Sequence, residues 1–442
     1  MLKLLPFAPI AALCFALTLT GMDQPTRAES LEGLVRQSLS SESEEAERAI
    51  ARLRELGPTG LQAFLDRRPP DLDPSEAAIA RWRRVLDRLC QQRDCYASQL
   101  YWYTDWERAK AAARRSGKPI LSLRLLGHLD EDLSCANSRF FRVAVYANAL
   151  VASRLRDRVI LHWESVRPVP TVTVDFGDGR TLKRTVTGNS IHYLLDAEGR
   201  PLDALPGLYG PQAFLTWLDR AVPMARQFAR LSASEREGVL TEYHRDRLET
   251  IQQQWRGDLA ALNGSPSPAL EPIPEGEPDA ETAGRLAVTK MVVEFPVLEQ
   301  LGAIERNRQT LESLTNREFW QQIARDRADT ARLDVNSLAL MRDKNPAFAD
   351  PEQLEAVQTQ FEAMMALDTV RNEYLLHSQI HQWFLTGDPT ATQVSTLNDR
   401  VYEELFLTPN SDPWMGLAPE NIYSAIDDGG LSPQPGDRAI DR

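Results

Sequence analysis

The chain is poor in the residues that usually announce a function. Four cysteines and six histidines are spread over 442 residues, too thinly for a zinc-ribbon or disulfide-framework reading. Basic residues are outnumbered, Lys+Arg 50 against Asp+Glu 63, for a formal charge of −13. That balance excludes a general nucleic-acid binder and a protein held to anionic membranes by charge. Beyond the first residues no apolar run approaches the ~20 residues that a spanning helix needs. No glycine-rich phosphate cradle and no nucleophile elbow is present. What remains is 43% hydrophobic and 26% charged, the make-up of an ordinary globular protein. A chain of this length suggests two or three compact units.

The first residues set the compartment. Lys3 precedes an apolar run from Leu4 to Leu17, broken by Pro6 and Pro9, and Thr26-Arg27-Ala28 offers small residues for cleavage. This is the layout of a secretory signal over residues 1–28. Leu13 stands before Cys14 where a lipoprotein signal would carry a small residue, which argues against a lipid anchor. The expected mature chain is periplasmic or secreted, with no stable membrane span. It keeps Cys90, Cys95 and Cys135. An odd number leaves at least one thiol without an internal partner. Cys90 and Cys95 are too far apart for a bridge in an unbroken helix, so a disulfide requires the helix to end between them; two separately buried thiols are the other reading.

Periodicity divides the rest. Residues 29–100 read as a helical unit: Ala46, Ala49, Ile50, Leu53 and Leu56 share a face, Gly57-Pro58-Thr59-Gly60 ends it, and Leu61, Phe64 and Leu65 mark a partner helix. Ile79, Trp82, Val85, Leu86 and Leu89 mark a third. The first two resemble one pair of HEAT-type helices, although a single pair makes no solenoid. Residues 101–222 alternate helix and strand. Asp105 caps a helix that Gly117 ends, and Pro119 leads into the strand ILSLRLLG. Phe140, Val143, Ala147, Leu150 and Val151 share the face of a helix after Cys135, and 159–163 is a second, parallel-type strand. Val172, Val174 and Phe176 alternate up to the Asp178-Gly179 turn, and 182–186 returns. Strands at 191–195 and 201–205 and a closing helix at 212–218 complete the pattern. After a helical arm (223–262), Pro266, Pro268, Pro272, Pro274 and Pro278 mark a linker at 263–280. A helical bundle (281–426), with Leu354, Val357, Phe361 and Met364 as a core stripe, and a Gly/Pro/Asp-rich tail (427–442) follow.

The helix-Lys118-Pro119-strand opening and the closing run HYLLDAEGRPLDALPGLYGPQAFLTWL resemble the thioredoxin-like superfamily over residues 101–222, while the centre between them departs from it. They are similar to the branch that includes exported and membrane-linked disulfide reductases. The expected fold class is therefore α/β, a thioredoxin-like domain flanked by an N-terminal helical unit and a mostly helical C-terminal region. In that family a Cys-x-x-Cys opens the helix, and the second thiol resolves the mixed disulfide. Here Cys135 stands at the attacking position and Ser138, whose hydroxyl cannot form a disulfide, at the resolving one. Ser190 in Gly188-Asn189-Ser190-Ile191 occupies the place of the family's cis-proline.

A thiol at a helix N-terminus gains stability as a thiolate from the peptide dipoles, while Asp130, Glu131 and Asp132 oppose it. His128 is the residue that could compensate. The expected catalytic residue is Cys135, with Ser138, Asn137, Ser190, His128 and His192 supporting it. Its partner would be another protein or a small thiol. A soft thiolate with His128 and His192 would also suit copper(I) or zinc, but the spacing matches no metal motif, and no metal or cofactor is expected. Glu373, His377 and His381 recur every fourth residue on one helix face. Paired histidines at this spacing can bind zinc, yet Ser378 stands where metalloproteases carry a glutamate, and a solvated or interface-facing stripe is the simpler reading. Two functions follow: an exported single-cysteine protein engaging thiols or disulfides, or a non-enzymatic scaffold that uses the same fold to hold a partner.

Overall fold

Ile120–Leu126 is buried on both faces along its whole length and forms the centre of the molecule. The computed structural model describes residues 30–67, 75–186, 189–261, 317–387 and 389–411. The expected signal peptide, linker and tail, and residues 281–316 and 412–426 of the expected bundle, lie outside these. The described chain is mixed α/β.

Five strands make the main sheet, in the order β1 (Trp102–Tyr103), β3 (Ile160–Arg167), β2 (Ile120–Leu126), β6 (Ser190–Leu195) and β7 (Pro201–Pro206). β1 and β2 lie parallel to β3, pairing Trp102 and Leu121 with Leu161. β6 runs antiparallel to β2, pairing Leu123 with His192 and Leu125 with Ser190, and β7 runs antiparallel to β6, pairing Leu194 with Asp203. The sequence cues operate as read. Asp105 accepts the amide of Arg108 at 2.8 Å to start α6 (Trp106–Ser116), and Gly117 ends that helix at a left-handed φ of 67°. The Asp178-Gly179 turn joins β4 (Thr171–Asp175) to β5 (Thr181–Thr185), a two-stranded ribbon apart from the main sheet.

Before the sheet, α1 (Leu31–Ser38), α2 (Ser43–Glu55), α3 (Pro58–Leu65), α4 (Glu76–Cys90) and α5 (Cys95–Ser98) bury Leu53, Phe64, Leu86 and Leu89. The Arg54 guanidinium fastens this unit to the sheet by donating to the carbonyls of Leu89, at 2.8 Å, and Trp102, at 3.0 Å. Cys90 and Cys95 form a disulfide. The bridge is reachable because α4 stops at Cys90 and the chain turns through left-handed Gln91 and Asp94.

After β2 the chain forms α7 (Ala136–Phe140), a π-helical stretch (Phe141–Tyr146) and α8 (Ala149–Arg158). The closing helix is far longer than expected. α9 spans Pro211–Arg230, because Ala221, Val222, Met224, Ala225 and Phe228 extend its buried stripe past Pro223. α10 (Ala233–Ala261) follows. The later helices are α11 (Arg317–Asp326), α12 (Val335–Lys344), α13 (Pro351–Arg371), α14 (Ser378–Leu385) and α15 (Val394–Arg400), with π-helical stretches at Asn372–His377 and Val401–Leu405. They do not close a core of their own. Leu123 and Tyr193 of the sheet, Trp217 of α9, Trp255 of α10, and Tyr374, Trp383 and Tyr402 belong to one continuous hydrophobic cluster. Among the described residues, no helix is long and apolar enough to cross a membrane.

Candidate functional site

Two polar places lie inside this core, the first at the corner around Cys135. Its residue sits at the N-cap of α7 with extended backbone, and its amide donates to the Leu126 carbonyl at 3.2 Å. The sulfur has no exposed surface. It faces the carbonyl of Asn189 at 4.0 Å. α7 is five residues long before the π-helical stretch begins, so it offers less of the aligned dipole on which a stabilised thiolate depends. The phenols of Tyr146 and Tyr402 stay protonated well past the ordinary tyrosine range, first through burial and then through the neighbouring thiol.

The supporting residues separate into two groups. Ser138 and Asn137 are buried beside Cys135, and Ser190 opens β6 next to Asn189. The Ser138 hydroxyl donates to the Cys135 carbonyl at 2.8 Å and contacts the Ser134 hydroxyl at 2.7 Å, so it closes the turn. Both amide atoms of Asn137 and the Ser190 hydroxyl are buried without a hydrogen-bond partner. His128 and His192 have other contacts. His128 is exposed and packs edge-on against Trp163, with ring centres 5.6 Å apart. His192 is bonded through Nε2 to the Tyr146 hydroxyl at 2.6 Å and boxed by Phe141 and Phe214. Burial pushes its pKa down to about 3. Among the described residues, the one cluster of donors spaced for a metal does not include Cys135, His128 or His192.

Sequence reasoning missed what covers the sulfur. Tyr402 donates to the Asn189 carbonyl at 2.8 Å, and the Asn189 amide donates to the Phe406 carbonyl at 3.4 Å. Arg167 donates to the carbonyls of Thr408, at 2.7 Å, and Pro409, at 3.0 Å. The last described turn of the chain is thereby drawn over the Cys135 corner.

The second place is a buried charge cluster at the edge of the sheet. Glu373, His377 and His381 share a helix face, as their spacing predicts, but the face is sealed: both histidines are fully buried. They meet Asp203 of β7 and Tyr243, His244 and Arg247 of α10. His377 contacts Glu373 through Nδ1 at 2.9 Å and Asp203 through Nε2 at 3.3 Å. Arg247 pairs with Glu373 at 2.9 Å. Asp203 accepts from Trp217 at 2.9 Å and Tyr243 at 2.5 Å. Nδ1 of His244 lies 2.8 Å from Nδ1 of His381.

Burial pulls the pKa of His377 down, but the flanking Glu373 and Asp203 carboxylates outweigh it and bring the ring up to about 9. Burial raises Glu373, and His377 reverses this to about 2. Asp203 is held below the usual carboxylate range for the same reason, with burial again overcome by the histidines. His244 falls to about 4, mainly through burial. Such opposed shifts inside one cluster are a mark of functional sites and of structural ion networks alike. Asp203 was legible as an oddity, a carboxylate inside the otherwise apolar strand PLDALP; its partners were not.

Comparison with known proteins adds no relative: no family model, no curated protein and no solved structure matches the chain.

Proposed function

We infer that this is an exported, non-enzymatic thioredoxin-like protein, a scaffold that holds a protein partner, with Cys135 serving as a core thiol. The observation that carries this reading is the absence of exposed surface on the Cys135 sulfur, which faces the carbonyl of Asn189, itself bonded to Tyr402 and Phe406. A nucleophilic thiol must be reached by its target, and Ser138 supplies no second thiol for resolution. The thioredoxin-like assignment is supported by the strand order β1-β3-β2-β6-β7 with β6 alone reversed, by Cys135 following β2, and by Ser190 opening β6. Export is supported by the leader-like residues 1–28 and by the Cys90–Cys95 disulfide, a bond that persists in oxidising compartments.

A second reading keeps Cys135 as a single-cysteine site engaging a protein or small thiol. It is favoured by one observation, that the cover is a single segment, residues 402–409, held by bonds to Asn189 and Arg167 as well as by the buried side chains of Tyr402, Leu405 and Phe406. Lifting that segment would uncover the thiol beside Asn137 and Ser190.

Alkylation separates the two. Cys90 and Cys95 are bridged, so Cys135 is the free thiol among the described residues. The native protein is expected to resist iodoacetamide from pH 6 to 9 and to take up one equivalent in denaturant. Modification of the native protein as fast as a free thiol, with an apparent pKa below about 8.5, would reverse the assignment in favour of thiol chemistry.

A further inference from the structure

We propose that Asp203, His377 and His381 form a binding site for one divalent transition-metal ion, zinc by the chemistry of the donors. Two imidazoles and one carboxylate are a recurrent protein ligand set for zinc. A carboxylate oxygen and one nitrogen from each ring lie within 4.8 Å of one another, with all three residues buried.

The separations favour an ion over a direct bond. Nε2 of His377 stands 3.3 Å from Oδ1 of Asp203, long for an N–H···O contact. Two donors on a tetrahedral ion with bonds of about 2.0–2.1 Å would be separated by roughly 3.3 Å. The ion would take the place of the proton between these atoms, and that proton would leave to solvent.

A second observation points the same way. Nε2 of His381 is buried and has no hydrogen-bond partner. Its Nδ1 meets Nδ1 of His244, so one of the two rings donates there. With His381 as donor, its Nε2 carries a bare lone pair in a dry interior, stripped of the hydration it would have in water. Coordination is a use for such a lone pair.

The surroundings are those of a supported site. Glu373 accepts from Nδ1 of His377 and is itself fixed by Arg247. Metal-bound histidines are commonly oriented by a carboxylate in this way. Trp217 and Tyr243 both donate to Oδ2 of Asp203, while Oδ1 takes the amide of Ala204 and faces His377. His377 and His381 are one turn apart, so a single helix presents both rings to the strand. The ion would tie the sheet edge to α14 beneath α10 through three buried residues, and its role would be structural.

The test uses the full chain with any affinity tag removed. Elemental analysis after purification without chelator should find close to one zinc per chain. Dialysis against a strong chelator should lower Tm by several degrees, and Zn2+ alone should restore it. Co2+ added to the stripped protein should give the visible bands of tetrahedral coordination. His381→Gln should retain less than a tenth of the metal, while His128→Gln should retain it fully. Absence of bound metal, together with a Tm indifferent to Zn2+, Mn2+ and Co2+, would overturn the proposal and leave a proton-held charge network. The cobalt spectrum decides the matter even where the His381 variant fails to fold.

Discussion

The phenol of Tyr402 donates to the backbone carbonyl of Asn189 at 2.8 Å, across 213 residues of chain, and the Cys135 thiol faces that same carbonyl. The one free thiol among the described residues thus shares its carbonyl neighbour with a segment distant in sequence, which makes Tyr402 a candidate latch on its solvent access. Tyr402→Phe removes the donor and keeps the ring. The loss of one buried hydrogen bond should cost about 1–2 kcal/mol. If the cost falls on local opening, alkylation of Cys135 should accelerate roughly tenfold. Urea titration and timed labelling measure the two effects, and a variant indistinguishable in both would show that Tyr402 is no latch.

Acid should destabilise the protein through its buried neutral histidines. His192 and His162 are both brought down to about 3, foremost by burial, with Arg124 adding to the effect at His162. An unfolded histidine titrates near pH 6.5. Between these values the unfolded chain holds protons that the native chain refuses, so stability falls as pH falls from about 6.5 towards 3. Each ring contributes a slope of about 1.4 kcal/mol per pH unit. Unfolding free energies at pH 7 and pH 5 should differ accordingly, and His192→Gln should reduce the difference by one ring's share. An unchanged slope in that variant would assign the acid sensitivity elsewhere.

Gly210 is a close-approach position. A methyl group there would stand 2.3 Å from the Thr330 carbonyl oxygen and 2.5 Å from the Ala331 α-carbon. Both obstacles are backbone, so Gly210→Ala must push α9 away from residues 330–331. Overpacking of this kind costs about 1–3 kcal/mol. Chemical denaturation should register that loss; a neutral Gly210→Ala would mean the two segments are free to separate.

The Cys90–Cys95 bridge should contribute about 2 kcal/mol through the loop entropy it removes from the unfolded chain. The paired replacement Cys90→Ala/Cys95→Ala should lower Tm, and dithiothreitol should then have no further effect. Because both sulfurs are buried, reduction of the unaltered protein should be slow until it is warmed or partly unfolded.

Local signals carried most of what the sequence revealed. Asp105, Gly117 and Asp178-Gly179 act within a few residues of themselves, so the α6–β2 junction and the β4–β5 ribbon were readable from chemistry alone. The closing helix was read over 212–218 and the arm from 223, whereas α9 runs on through Pro223 because its buried stripe through Phe228 outweighs one missing amide. The environment of Cys135 was hidden for a different reason: Tyr402, Phe406 and Thr408 reach it from a distant segment with no pattern to betray them. The charge cluster was half visible. The four-residue spacing of Glu373, His377 and His381 gave one face, but Asp203 and Arg247 come from two other elements, and their meeting is a matter of tertiary packing.

The shared interior has a consequence for how such a protein can be inherited. Trp217 and Trp255 from one side and Tyr374, Trp383 and Tyr402 from the other close the same apolar volume. Pieces 30–261 and 317–411, made separately, would each present a raw greasy face to water. The later helices are thus no passenger that recombination could exchange for another module, and the histidine–carboxylate nest exists in neither fragment, only in their union.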